Sequence, residues 1–157
     1  MIHIDLRTQN LALKQEGEIV FETKIASASN GAGELYGSEQ TPRGWHIIRA
    51  KIGENQAENT VFKGRRATGE LYTEVLRTEF PKIDWILTRI LWLSGLEPGF
   101  NRLGNVDTMR RYIYIHGCPE SDPMGEPSSH GCIKMCNSDV IQLFDLVKVG
   151  TKVLITE

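Results

Sequence analysis

The first 25 residues hold short runs of β-forming residues divided by turn pairs, a layout that commits the chain to a substantial sheet. Residues 2–6 alternate apolar and polar side chains, Gln9-Asn10 offers a turn, and residues 11–14 can return as a hairpin partner. Glu16-Gly17 offers a second turn before residues 19–25, which are rich in β-formers. A Gly-rich loop is expected over residues 30–37, then a turn at Thr41-Pro42-Arg43-Gly44 and a strand over 45–52. The middle of the chain reads differently. Residues 55–69 are polar and read as irregular, with a short strand at Val61-Phe62. Leu71, Val75 and Leu76 recur at helical spacing as far as Phe80-Pro81. Residues 83–93 are apolar nearly all round, which predicts a buried helix ending at Gly95 or Gly99.

Strand signals return with Arg111-Tyr112-Ile113-Tyr114-Ile115-His116, followed by a loop over residues 117–129 that contains Pro119, Pro123, Gly125 and Pro127. Asn137-Ser138 predicts an N-cap for a helix whose apolar face is Val140, Leu143, Phe144 and Val147. Gly150 ends that helix, and residues 152–156 form a last strand. The expected fold class is α+β, mainly β, in a single domain over residues 1–157, long enough to bury a core without disulfides.

Charge excludes more than it suggests. The formal net charge is -2 with both signs dispersed, so no basic stripe offers a nucleic-acid footprint. The most apolar stretch, residues 83–96, contains Asp84 and Arg89 and is too short to span a bilayer, so no membrane partner is expected. The N-terminus lacks a basic segment followed by an apolar one, from which a cytoplasmic location is expected. Cys118, Cys132 and Cys136, an odd number in one short segment, do not form a disulfide framework. They point to a catalytic thiol or a metal site.

The chemistry concentrates between His116 and Cys136, where His-Gly-Cys occurs at 116–118 and again at 130–132. A thiol attacks as thiolate and needs a base. His116 at a strand end and Cys132 at the close of the following loop can meet. Gly131 leaves room for substrate, and the amides of His130, Gly131 and Cys132 can converge on an oxyanion. A zinc-binding, non-catalytic module using His116, Cys118, His130, Cys132 and Cys136 stays open, although the short Cys-x-x-Cys pairs of structural sites are absent. Tyr114 shares a strand face with His116 by the period of two and can line the same pocket. Arg89 is expected to form a structural ion pair, and His46 is expected to be structural.

At these residues the sequence resembles the L,D-transpeptidase catalytic domain, or YkuD, family. Its signature of a histidine, a loop and Ser/Thr-His-Gly-Cys reads here as His116 and then Ser129-His130-Gly131-Cys132-Ile133-Lys134-Met135. Asn137 and Asp139 match the family's continuation, and Thr41-Pro42-Arg43-Gly44 its upstream turn. Lys134 stands where Arg is usual, and Cys118 where Thr or Ser is more common. The resemblance implies a β-sandwich-like fold with a helical insertion and a helix after the cysteine. It implies Cys132 as nucleophile, His116 as base, and the Gly117 carbonyl fixing the imidazole tautomer. It also implies backbone oxyanion donors at His130, Gly131 and Cys132. Ser129, Tyr114 and Lys134 are expected to contact substrate. No metal or cofactor is implied, and the oligomeric state is not legible.

The partner implied is a peptidoglycan stem peptide or muropeptide, attacked at the meso-diaminopimelate–D-Ala bond. Water as acceptor gives an L,D-carboxypeptidase of muropeptide recycling, and an amine gives a cross-linking L,D-transpeptidase. The absence of a visible leader places the hydrolase first.

Overall fold

The computed structural model describes residues Met1–Glu157. Six strands come first: β1 (Ile2–Asp5), β2 (Asn10–Gln15), β3 (Glu18–Lys24), β4 (Gly44–Ile52), β5 (Thr60–Lys63) and β6 (Arg66–Leu71). A short helix α1 (Glu74–Glu79) precedes the long strand β7 (Ile86–Gly95). Then come β8 (Tyr114–Gly117), β9 (Ile133–Met135), the helix α2 (Asn137–Leu146) and β10 (Lys152–Thr156). The strands form one curled sheet in the order β3-β2-β1-β10-β4-β7-β5-β6, with β8 added to β7 and β9 to β8. The first and last strands, β1 and β10, pair in parallel, so the two ends of the chain close on each other. The β-rich reading of both ends holds, and so does the helix after the cysteine.

The largest departure lies at residues 83–93, where the expected buried helix is the strand β7. β7 runs between β4 and β8 with α2 packed over one face, so it is enclosed on both sides. A doubly buried strand needs apolar side chains on both faces and loses the alternation that would distinguish it from a buried helix. Ile86, Thr88, Ile90 and Trp92 are β-formers, and the pairing partners decide the outcome. The helical insertion is therefore only α1, where Val75 and Leu76 predicted it. β6, expected to be irregular, is an exposed edge strand. Residues 111–113 do not join β8, because Tyr112 turns the chain with φ 55°.

Two other expectations change. Arg89 forms no ion pair. Its Nη1 donates to the carbonyls of Gln56 (2.8 Å) and Thr88 (2.7 Å), and its guanidinium lies 5.4 Å from the Phe144 ring. Three neutral partners thus replace the carboxylate that burial seemed to demand. Asn137 does not cap α2. Cys136 holds that position without a side-chain bond, and Asn137 turns toward β8.

The alternation of β7, β8 and β9 creates the two faces that matter. Leu91, Leu93, Ile115, Ile133 and Met135 point into the main core with Val140, Leu143 and Phe144 of α2. Ile90, Tyr114 and Cys132 gather on the other side with Phe62. The core therefore fixes which side chains the opposite face presents.

His46 is fully buried in β4, as a structural residue should be. Its Nδ1 donates to the Gly44 carbonyl at 3.0 Å, and its Nε2 accepts from the Thr108 hydroxyl at 2.9 Å. Burial holds its pKa down at about 4, from an ordinary 6.5. In acid the unfolded chain takes up this proton before the folded protein does. The stabilising contribution is complete above about pH 6.5 and is lost as pH falls toward about 4. The loss amounts to roughly 3 kcal/mol at 1.4 kcal/mol per pKa unit. Urea unfolding between pH 7 and 4 is expected to show this acid limb, with a shallower limb in His46→Gln.

Candidate active site

β8 carries Tyr114 and His116 on one face, and the turn before β9 brings Cys132 against Tyr114 on that face. The thiol borders a cavity of about 470 Å³ whose wall includes Arg65, Asp84, Arg111, Tyr112, Tyr114 and His130. The Tyr114 amide donates to Cys132 Sγ at 3.3 Å, and the thiol itself donates to the Tyr112 carbonyl at 3.4 Å. Desolvation pushes the Cys132 thiol up to about 12, with Asp84 adding to the rise, while the Tyr114 amide and Arg111 oppose it.

His116 is completely buried. Its Nδ1 lies 2.6 Å from the Gly117 carbonyl, which can only accept, so Nδ1 carries the proton and Nε2 is left basic. Nε2 is buried and makes no hydrogen bond. Burial holds the imidazole pKa below the usual range. The thiol and imidazole are therefore both neutral and not bonded to each other in this arrangement.

Gly117 is held from behind. A Cβ there would collide with Asn137 Oδ1 and the Leu87 carbonyl. Asn137 Nδ2 donates to the Cys118 carbonyl and to Asn59 Oδ1, both at 3.0 Å, and its Oδ1 accepts from the Thr88 hydroxyl at 2.7 Å. Thr88 is fully buried at φ 76°, a rare conformation for a β-branched residue. It sits where the β7–β8 register shifts.

The loop before Cys132 is braced from inside. The Ser129 hydroxyl donates to the Cys132 carbonyl and accepts from the Gly131 amide at 3.2 Å. The Thr41 hydroxyl donates to the Gly131 carbonyl at 2.9 Å and accepts from the Ala28 amide. The Thr-Pro-Arg-Gly turn is thus a strut for the cysteine loop. Of the expected oxyanion donors, the Gly131 amide is already engaged, while the amides of His130 and Cys132 bond to no acceptor in the protein. The His130 ring is exposed and lies 3.6 Å from Asp84.

Among the residues expected to contact substrate, only Tyr114 borders the cavity. Ser129 is buried as a loop brace. Lys134 is buried in a pair with Asp122 at 3.0 Å, and Asp122 also holds Arg77 at 2.6 Å. Burial opposes ionisation of Asp122, but the bonds from Arg77 and Lys134 keep its carboxyl below the usual range. Cys118 is buried and donates to the Met135 carbonyl, its thiol pushed up to about 12 by burial. It borders a separate hollow with Cys136. No group of three or more His, Cys, Asp or Glu side chains gathers to hold a metal ion.

Arg65, Asp84 and Arg111 are cavity residues that no motif announced. Arg111 donates to the carbonyls of Gly33 and Gln40 and to the Ser38 hydroxyl and forms no direct ion pair, with Glu34 the carboxylate whose charge it feels. The weak signal for Arg65 was its place in Lys63-Gly64-Arg65-Arg66, a glycine-containing turn between strand-like runs.

The sheet thus sets His116 and Cys132 on one face, beside the unbonded backbone amides of His130 and Cys132. The family model for the L,D-transpeptidase catalytic domain, YkuD, matches residues 1–155, and the chain belongs to that family. Over 59 residues it is 42% identical to "Putative L,D-transpeptidase YqjB" of Bacillus subtilis, covering 38% of this chain and 32% of that one. The fold is similar to an Enterococcus faecium L,D-transpeptidase, a cysteine-to-serine mutant, with TM-score 0.58 and 21% identity over 98% of this chain and 48% of that chain. It is also similar to L,D-transpeptidase 3 of Mycobacterium tuberculosis in complex with a faropenem-derived adduct. There the TM-score is 0.59 at 13% identity, covering 99% of this chain and 59% of that chain. The chain thus spans about a third of YqjB and about half of the first structural relative.

Proposed function

We propose that the protein is a cysteine L,D-carboxypeptidase that cleaves the meso-diaminopimelate–D-Ala bond of peptidoglycan tetrapeptides. The observation that carries this reading is the placement of Cys132 and His116 on one sheet face, with Nε2 buried, basic and unpartnered. His116 pairs with Lys134 across the parallel β8–β9 ladder, so Cys132, two residues before Lys134, lies diagonally across from it on the same face. In this reading the Cys132 thiol leaves the Tyr112 carbonyl by rotating about χ1 and gives its proton to Nε2. Catalytic hydrogen bonds of this kind commonly tighten only when substrate binds.

Sγ then attacks the carbonyl carbon of the L-centre while its proton passes to Nε2. The amides of Cys132 and His130 receive the negative oxygen. The C–N bond breaks, Nε2 returns the proton to the leaving amine, and D-Ala departs. Water adds to the thioester with His116 as base, and the sulfur regains its proton as the tripeptide leaves.

Incubation with disaccharide-tetrapeptide, followed by mass spectrometry, tests the reading. Release of D-Ala with stoichiometric tripeptide is expected. Cross-linked dimers as the main product would make an amine the acceptor, and unchanged tetrapeptide would sink the activity.

A further inference from the structure

We propose that Arg65 is the substrate-carboxylate anchor of this site and takes the free terminal carboxylate of the residue that leaves. The inference rests on the carboxypeptidase reading above and adds the group that recognises a chain end.

Arg65 is delivered by a strained turn. Lys63 pairs with Arg66, so β5 and β6 are joined by Gly64-Arg65 alone. Both residues have positive φ, 55° and 63°, which is the two-residue hairpin turn that ordinarily takes Gly, Asn or Asp. An arginine in that position is conformationally disfavoured, which directs attention to what its side chain does.

That side chain is held in the cavity beside the thiol. The guanidinium carbon lies 4.7 Å from the Trp92 ring centroid and 4.9 Å from that of Tyr112, and Nη1 donates to the Tyr114 hydroxyl at 3.0 Å. The two rings form a cradle, with centroids 6.1 Å apart. Tyr112 is itself at φ 55°, and its carbonyl accepts from the Cys132 thiol. Two disfavoured backbone conformations thus meet across one cavity. No carboxylate lies within ion-pairing distance of Arg65, and the carboxylate of Asp84, on the same wall, lies 3.6 Å from the His130 ring. One of its five N–H donors is used, which leaves an edge of the fork for a bidentate anion.

The placement selects the leaving residue's carboxylate. Tyr114 links the two functions, since its amide touches Sγ and its hydroxyl touches Arg65. The guanidinium is therefore one tyrosine side chain from the point of attack. A C-terminal carboxylate lies one residue step, about 3.8 Å, beyond the scissile carbonyl. A tyrosine spans about two such steps, so a guanidinium at its hydroxyl can close on a carboxylate one residue past the carbonyl under attack, which favours a chain end over a continuing peptide.

The test uses the full chain and Arg65→Asn, because Asn suits the left-handed turn and should leave the melting temperature unchanged or higher. Each protein is given tetrapeptide with a free C-terminus, its C-terminal carboxamide, and a tetrapeptide amidated at the second diaminopimelate carboxylate. The wild-type protein is expected to favour the free acid over the carboxamide by on the order of 10- to 100-fold in kcat/KM. Arg65→Asn should reduce that preference to within about threefold, chiefly through KM. Full preference retained in Arg65→Asn would overturn the assignment, as would discrimination that follows only the diaminopimelate carboxylate. If the wild-type protein turns over none of them, the carboxypeptidase reading fails. Calorimetric binding of free acid and carboxamide then decides Arg65 separately: tighter binding of the acid, lost in Arg65→Asn, supports the anchor, and equal or absent binding overturns it.

Discussion

Cys132→Ala is expected to lower tetrapeptide cleavage by about 10⁴- to 10⁶-fold, since no other group borders the cavity with a nucleophile able to form the thioester. Cys118→Ala is expected to keep at least about a third of wild-type turnover, because its thiol is enclosed, bonded to the Met135 carbonyl and faces a different hollow. Removing Sγ at 132 gives up two weak sulfur hydrogen bonds, with Tyr114 and Tyr112, and part of its packing against Phe62 and Ile90, so folding should survive. Steady-state kinetics on both variants, with melting temperatures as control, check the pair. Strong turnover by Cys132→Ala, or its loss in Cys118→Ala, would transfer the role to Cys118.

His116→Gln is expected to cost about 10²- to 10⁴-fold in kcat, the usual yield of a positioned base. The pH dependence carries more information than the size of the loss. Burial holds the Cys132 thiol up at about 12 and holds the imidazole below its usual range. At neutral pH the pair therefore rests as thiol and free base, and deprotonation happens during attack. Only neutral imidazole can take the proton, and a lowered pKa keeps it neutral further into acid. The wild-type rate should be flat through neutrality and fall only below the ordinary imidazole range near 6.5. Without the base, the residual rate should depend on thiolate alone and climb about tenfold per pH unit through the same region. A flat residual profile in His116→Gln would show that another group activates the sulfur.

The family is legible in the sequence, and the long central strand is not. Ser129-His130-Gly131-Cys132 and the strand ending in His116 are contiguous, so their neighbours in space are close to their neighbours in sequence. β7 reads as a helix in sequence because burial on both faces removes the alternation by which a strand declares itself. Arg89 and Lys134 show a related limit. Both are buried cations, yet one is satisfied by carbonyls and a ring and the other by Asp122, twelve residues away. Only tertiary packing decides between such partners. Arg65 lines the thiol's cavity because β5 pairs with β7, and Asn137 supports Gly117 because α2 follows β9 directly. No periodicity could reveal either contact.

Intact-mass spectrometry during turnover of tetrapeptide, followed by peptide mapping of the acid-quenched protein, tests most directly whether the sulfur at 132 bears the acyl group. A mass gain equal to the tripeptide acyl unit, on the peptide containing Cys132 and reversed by hydroxylamine, is predicted. The same gain on Cys118 or Cys136, or rapid release of D-Ala while Cys132 stays open to alkylation, would contradict it.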